Sequence, residues 1–299
     1  MTPELPPTEQ RHPLSMSLDR LSTLEVLRLM NQLDAQVPLV IAEALPQITA
    51  VVNLAVATLG AGGRLFYQGA GTSGRLAVLD ATELLPTFSL PPGTVIALLA
   101  GGDAALVRSV EGAEDDAELG QHDLVTHDFS TQDMLIGIAA SGRTPYVLGG
   151  LRYAQQLGAA TAAIVCNPNS PVAATAQVAI ELLTGPELLT GSTRLRAGTA
   201  TKLALNMIST ATMVKMGKVY ENLMVDVQPT NAKLRQRALR IVATATGVDH
   251  DDARKLLDEA EWEVKTAVLM GLAGLDANAA KQRLIASQGQ VRLAATPKV

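Results

Sequence analysis

Leu65-Phe66-Tyr67-Gln68-Gly69-Ala70-Gly71-Thr72-Ser73-Gly74-Arg75-Leu76 is the stretch that decides how this chain folds. Arg64 to Gln68 has the makeup of a buried strand, Gly69 to Gly74 reads as a tight loop, and Leu76 onward reads as a helix. A helix leaves its first backbone N–H groups unpaired and presents the positive end of its dipole, so this junction suits an anion. The glycines let the backbone approach that anion closely, and the hydroxyls of Thr72 and Ser73 add donors. The spacing also satisfies G-x-G-x-x-G, the dinucleotide fingerprint. A dinucleotide site wants an acidic residue ~20 residues further on. Here the next strand, Val95 to Ala100, runs into Gly101-Gly102-Asp103, which is a poor and late candidate. Two hydroxyls in the loop fit a terminal phosphate better than a bridging pyrophosphate.

Working outward, Ile136-Gly137-Ile138-Ala139-Ala140-Ser141-Gly142-Arg143-Thr144-Pro145 repeats the same grammar of strand, small-residue loop and helix, with Pro145 suited to a first helical turn. Ser73-Gly74-Arg75 and Ser141-Gly142-Arg143 are the same tripeptide at the same place. Two such loops in one parallel sheet can converge on one phosphate at its carboxyl edge. Either loop alone could be no more than a tight turn; the pair argues for a site.

The rest of the chain frames that sheet. Residues 1–13 read as a flexible arm, and Ser22-Thr23-Leu24-Glu25 is a capping box opening a helix to about Leu33. Pro38 and Pro46 mark the first turns of two more helices. Beyond the first loop a helix is expected from Arg75 to Leu85, stopped by Pro86, with short helices at 104–110 and around 114–119. Strands at 134–140, 161–166 and 178–182 follow, with a helix between the first two that ends at Gly158. The alternation predicts an α/β fold, a doubly wound five-stranded parallel sheet with N-terminal helices. A third loop, Gly185 to Gly198, carries Ser192, Thr193, Arg194 and Arg196 and feeds a long apolar helix, 199–216. Val225 to Pro229 reads as an extended linker, after which four short helices make a small C-terminal helical domain. The expected divisions are 1–54 for the arm and first helices, 55–218 for the sheet domain, and 219–299 for the linker and helical domain.

Composition narrows the chemistry. The net charge is −5, which argues against a nucleic-acid or anionic-membrane surface, so any phosphate must be held by local donors. A single cysteine, Cys166, excludes a disulfide framework and a cysteine-rich metal site, and the four histidines show no ligand spacing. No metal and no cofactor are expected. No run of ~18 apolar residues spans a membrane, and the N-terminus lacks the basic start and apolar centre of a signal peptide. A cytoplasmic protein is expected.

Two acids stand in suggestive places. Glu83 lies ten residues past Ser73, and Glu114 sits in the cluster Glu111-Gly112-Ala113-Glu114-Asp115-Asp116. By spacing alone each is as well read as a solvated helix face or a helix start. The motifs Gly69–Arg75 and Ala139–Pro145 resemble the sugar isomerase domain, a phosphosugar-binding module. Asp80-Ala81-Thr82-Glu83, Val110 to Asp115, Gly137 to Tyr146 and Asn222-Leu223-Met224-Val225-Asp226-Val227 together resemble the N-acetylmuramic acid 6-phosphate etherase family. Gly185 to Arg194 resembles a signature which that family shares with the glucokinase regulatory protein. One departure is Arg196, where the signature leads one to expect lysine; a guanidinium is not an ammonium.

The resemblance implies cleavage of the lactyl ether of N-acetylmuramic acid 6-phosphate, giving N-acetylglucosamine 6-phosphate and D-lactate by elimination and hydration. It implies Glu83 as the acid for lactate departure and Glu114 as a second acid/base. Thr72, Ser73, Ser141, Gly142 and Thr144 would hold the 6-phosphate, with Glu187 and Ser192 of the third loop also binding substrate. A homodimer is expected, because sugar isomerase domains commonly pair. Two other readings share parts of this pattern. A non-catalytic phosphosugar sensor would carry a second such domain or a basic DNA-binding region, and this chain shows neither. Aldose–ketose isomerisation shares the C2 chemistry but leaves the etherase-type motifs unexplained.

Overall fold

The computed structural model describes residues 5–296. The Ser22 hydroxyl accepts the Glu25 N–H and the Glu25 carboxylate accepts the Ser22 N–H at 2.8 Å, and this capping box opens α1, Thr23–Asp34. Pro38 and Pro46 stand in the first turns of α2, Val37–Glu43, and α3, Leu45–Gly60. The sheet and its crossovers follow: β1 Leu65–Gly69, α4 Gly71–Phe88, β2 Val95–Leu99, α5 Ala104–Val107, α6 Ala117–Thr126, β3 Met134–Ala139, α7 Pro145–Leu157, β4 Ala160–Val165, α8 Pro171–Thr175 and β5 Val178–Glu181. Then come α9 Arg196–Lys215, α10 Ala232–Thr246, α11 His250–Glu259, α12 Val264–Ala273, α13 Ala277–Ala286 and α14 Val291–Ala295.

The chain forms two units: residues up to Ala81 with Gly93–Ser209, and Thr82–Pro92 with the residues from Thr210 onward. In the first, the strands run parallel in the order β2-β1-β3-β4-β5. Leu65, Phe66, Tyr67, Leu135, Ile136 and Ile138 are all buried, as strands covered on both faces require. Arg64 and Asp133, the residues just before β1 and β3, form an ion pair of 2.8 Å that ties the amino ends of these strands together. In the second unit, α10–α14 pack Leu239, Val242, Leu257, Val268 and Leu269 into their own core.

Four expectations need correction. Over its described part the N-terminal arm is docked: the Thr8 N–H donates to Asn167 Oδ1 at 3.1 Å, Asn167 Nδ2 donates to Thr8 Oγ1 at 2.8 Å, and Thr8 is fully buried. Residues 1–4 of that arm lie outside the described residues. The stretch 225–229 is no linker, because Val225 and Val227 belong to the core of the second unit. α4 continues through Pro86 to Phe88. A proline so near the end disturbs only the last turn, and the buried Leu84 and Phe88 hold that turn. A fifth C-terminal helix, α14, escaped the sequence because it is only five residues long.

Candidate active site

β1 leads to β2 on one side of it, and the chain then returns to β3 on the other side. The carboxyl ends of β1 and β3, adjacent with Gly69 opposite Ile138, are therefore the switch point of the sheet, where such folds open a crevice. Both small-residue junctions leave from that point.

At the first junction the helix begins at Gly71, not after Gly74. Gly71 has φ +53°, so one residue turns the chain from strand to helix, and no loop remains. Thr72, Ser73 and Gly74 thus occupy the first turn of α4, with the Gly74 N–H reaching the Ala70 carbonyl at 3.3 Å. α4 is fastened to its neighbours through Asp80, whose carboxylate accepts from Tyr67 Oη at 3.1 Å and from Ser209 Oγ at 3.0 Å. Burial pushes the Asp80 carboxyl up, against the pull of these two hydrogen bonds.

The second junction stays a loop. Residues 141–144 precede α7, Pro145 sits in its first turn, and Gly142 has φ +69°. Asn167 Nδ2 braces the loop from below, donating to the Ala140 carbonyl at 3.2 Å and the Ser141 carbonyl at 3.3 Å as well as to Thr8. The docked N-terminal segment is therefore part of what positions Ser141.

The third loop is organised by Glu187. Its carboxylate accepts the Arg196 N–H at 3.0 Å and the Ala197 N–H at 2.9 Å, which caps α9. Burial raises its carboxyl above the ordinary value, with the two N–H groups and the Arg196 charge opposing. Arg196 answers the departure noted in the sequence. Its guanidinium forks between the Pro186 carbonyl and Gln36 Oε1, both at 3.1 Å, holding the loop to the segment before α2. A single ammonium could not reproduce that fork.

These three segments enclose a cavity of ≈ 390 Å³. Thr72 and Ser73 line it from α4, Ser141 and Thr144 from the second loop, and Glu114 from the segment before α6. Of the residues expected at the site, these five are brought together. Gly142 shapes the loop behind the cavity, Ser192 is half-buried beside Thr193, which does line it, and Glu187 spends both oxygens on α9. Glu83 is exposed on α4 and is not among the lining residues. The sequence reading missed Asp115, Arg143, Thr193 and Thr201 as lining residues. Arg143 and Thr193 lie inside the quoted motifs, whereas Thr201, in an apolar helix, carries no signal of its own. Cys166 is buried, and loss of solvation pushes its thiol up to about 12, so it supplies no nucleophile. Among the described residues no group of His, Cys, Asp and Glu could hold a metal ion, and no single helix is long and apolar enough to cross a membrane.

A doubly wound sheet with hydroxyl-bearing junctions at its switch point is the architecture of the SIS domain, and two family models agree. Residues 47–155 match the glucokinase regulatory protein N-terminal SIS domain, and residues 113–211 match the SIS domain. A phosphosugar isomerase described as involved in capsule formation, from Bacteroides fragilis, shares the fold. The isomerase name of that protein is an assignment only; it has a TM-score of 0.50 and 22% identity, covering 65% of this chain and 91% of that one, and it shows the fold alone. The N-acetylmuramic acid 6-phosphate etherase of Serratia proteamaculans is 59% identical over 97% of both chains. That of Pectobacterium atrosepticum is 59% identical over 95% of this chain and 94% of its own. The chain is an enzyme of the N-acetylmuramic acid 6-phosphate etherase family.

Proposed function

We propose that this enzyme opens the lactyl ether of N-acetylmuramic acid 6-phosphate, releasing D-lactate and N-acetylglucosamine 6-phosphate. The observation that carries the reading is the cavity itself, where two hydroxyl-rich junctions face each other with Glu114 in the wall. Backbone N–H groups and the hydroxyls of Thr72, Ser73, Ser141 and Thr144 anchor the 6-phosphate, binding energy that fixes the reacting carbons. With the sugar ring open, the C1 aldehyde acidifies the C2 proton. A base takes that proton, the electron pair forms the C2–C3 double bond, and the C3–oxygen bond breaks while an acid protonates the lactate oxygen. Water then adds at C3 and a proton returns to C2.

The family motif supports Glu83 as the acid that serves lactate departure, and the position of Glu114 in the cavity supports it as the second acid/base. Helix rise places Glu83 about 15 Å along α4 from Ser73, too far to serve a phosphate-anchored sugar from the same helix. A symmetric homodimer, in which a second copy presents its Glu83 to the cavity, resolves that distance. A sugar that carries a 6-phosphate does not cross a membrane unaided, which supports a cytoplasmic place for the reaction, where sugars are phosphorylated.

Replacement of Glu83 by Gln keeps the shape and removes the proton. Lactate release is expected to fall by ~10² to 10⁴, while exchange of the C2 proton with deuterated water survives better. Glu114→Gln should show the reverse bias. Mixing the two inactive variants should restore part of the activity through mixed dimers. Lactate release at the unmutated rate by Glu83→Gln would overturn the assignment, and a monomeric mass at micromolar concentration would overturn the dimer.

A further inference from the structure

The substrate of the proposed reaction has two anionic ends, the 6-phosphate and the lactyl carboxylate, and the cavity offers them unequal receptors. The phosphate meets neutral donors, with Thr72 and Ser73 on one side and Ser141 and Thr144 on the other. Together with the first-turn N–H groups of α4 these suffice for three terminal oxygens. The charged residues of the wall are Glu114, Asp115 and Arg143, so Arg143 is the one base among the described lining residues. Its guanidinium is exposed and makes no hydrogen bond or ion pair among the described residues; only its backbone N–H is engaged, donating to Ser141 Oγ at 3.2 Å. The loop that carries it is braced on its N-terminal side, where Asn167 holds the Ala140 and Ser141 carbonyls and Gly142 turns left-handed, and α7 begins two residues after Arg143, at Pro145. In a wall whose other charged residues are two carboxylates, this exposed guanidinium on a braced backbone is the one group that attracts an anion by charge.

Resting on the reading of this cavity as the etherase site, we propose that Arg143 receives the lactyl carboxylate and thereby selects the ether over other 6-phosphosugars. The planar fork of a guanidinium matches both oxygens of a carboxylate. Held there, the departing lactate keeps its ether oxygen oriented for protonation. A sugar with a bare C3 hydroxyl leaves Arg143 unpaired and gains nothing from it, so the residue discriminates substrate from product.

The test separates the two anions and does not depend on turnover. Borohydride-reduced N-acetylmuramic acid 6-phosphate lacks the aldehyde and cannot eliminate; reduced N-acetylglucosamine 6-phosphate lacks the lactyl group besides. Titrated calorimetrically into the full chain, Arg143→Gln should bind the lactyl compound roughly ten- to a hundredfold more weakly, the loss of a charged hydrogen-bonded pair. It should bind the second compound within about twofold of the unmutated protein, a difference too small for a lost charged hydrogen bond. Arg143→Lys, which keeps charge without the fork, should fall between. Equal weakening of both compounds would place Arg143 on the phosphate and overturn the proposal, as would no change in either. Lactate release by the unmutated enzyme reports separately on the etherase reading.

Discussion

The two junctions that flank the cavity share the tripeptide Ser-Gly-Arg and differ in almost everything else. After β1 the tripeptide lies in the first turn of a helix, reached through the positive φ of Gly71. After β3 it lies in an open loop, with Gly142 itself left-handed and the helix delayed to Pro145. The glycines are needed for different reasons. A Cβ on Gly74 would come within 2.6 Å of the Gly69 carbonyl oxygen, so the helix packs against its own incoming strand. A Cβ on Gly142 would come within 2.2 Å of Ser170 Oγ, on a backbone that side chains already avoid. The first junction therefore works as a rigid cradle of N–H groups and hydroxyls. The second is a presented loop, able to aim Arg143, and it depends on Asn167 and Thr8 to stay in place. Identical residues contribute differently because the turn-making glycine comes two residues before the serine in one case and directly after it in the other.

The largest effect on the site is expected at that loop. Gly142→Ala should cost ~1–2 kcal/mol for the left-handed backbone and ~1–3 kcal/mol for overpacking against Ser170. Gly74→Ala meets only the second kind of cost. Urea unfolding of the two variants, with N-acetylglucosamine 6-phosphate affinity measured alongside, checks the difference; equal losses would mean the junctions are equivalent after all.

Next come the serines. Ser73→Ala and Ser141→Ala should each weaken phosphosugar binding by ~1.5–3 kcal/mol. Ser141 should be the more costly, because its Oγ also accepts the Arg143 N–H. If inorganic phosphate competed equally well in the serine variants and the unmutated enzyme, the anchor would lie elsewhere.

A smaller change is expected from the N-terminal segment. Thr8→Val keeps the shape and removes the acceptor for Asn167 Nδ2. About 0.5–1.5 kcal/mol should be lost, read as a few-fold weaker affinity, and Thr8→Ser should restore it. An affinity that ignores Thr8→Val would detach the segment from the loop's function.

The least effect on the loops should come from the opposite edge of the same two strands. Asp133 accepts from the Arg64 backbone N–H at 2.9 Å, from its guanidinium and from the Ser130 N–H. Burial raises the Asp133 carboxyl, but these partners outweigh it and leave it below the ordinary 3.8. A carboxyl depressed on folding contributes stability that is present above its unfolded value and is lost as pH falls through the folded one. Asp133→Asn should lower Tm at pH 7, the gap should close as pH drops below about 4, and phosphosugar affinity should not move. A Tm difference that persisted undiminished to pH 2 would remove the charge from the account.

Much of this was legible from residues alone. The passage from strand to helix at both junctions, the parallel sheet, the capping box at Ser22 and the glycine stop at Gly158 follow from local rules of periodicity, capping and turn chemistry, which act over a few residues, although the loop expected at the first junction is taken up into α4. The hydroxyls of Thr72, Ser73, Ser141 and Thr144 and the carboxylate of Glu114 stand out by their motifs alone, and the fold brings them to one cavity. Other features depended on partners distant in the chain. The segment holding Thr8 looks like an arm until Asn167, 159 residues away, is brought to it. Nothing local to Glu187 shows that the N–H groups of Arg196 and Ala197 donate to its two oxygens, and Val225 and Val227 read as linker until the core of the second unit takes them in. The sequence by itself determined which residues could turn, cap, donate or ionise, because those are properties of a residue and its near neighbours. Only the tertiary structure decided which of them were left unspent at the cavity, because satisfaction of a hydrogen bond or a charge is a property of pairs, and most of the pairs here join residues that the chain keeps far apart.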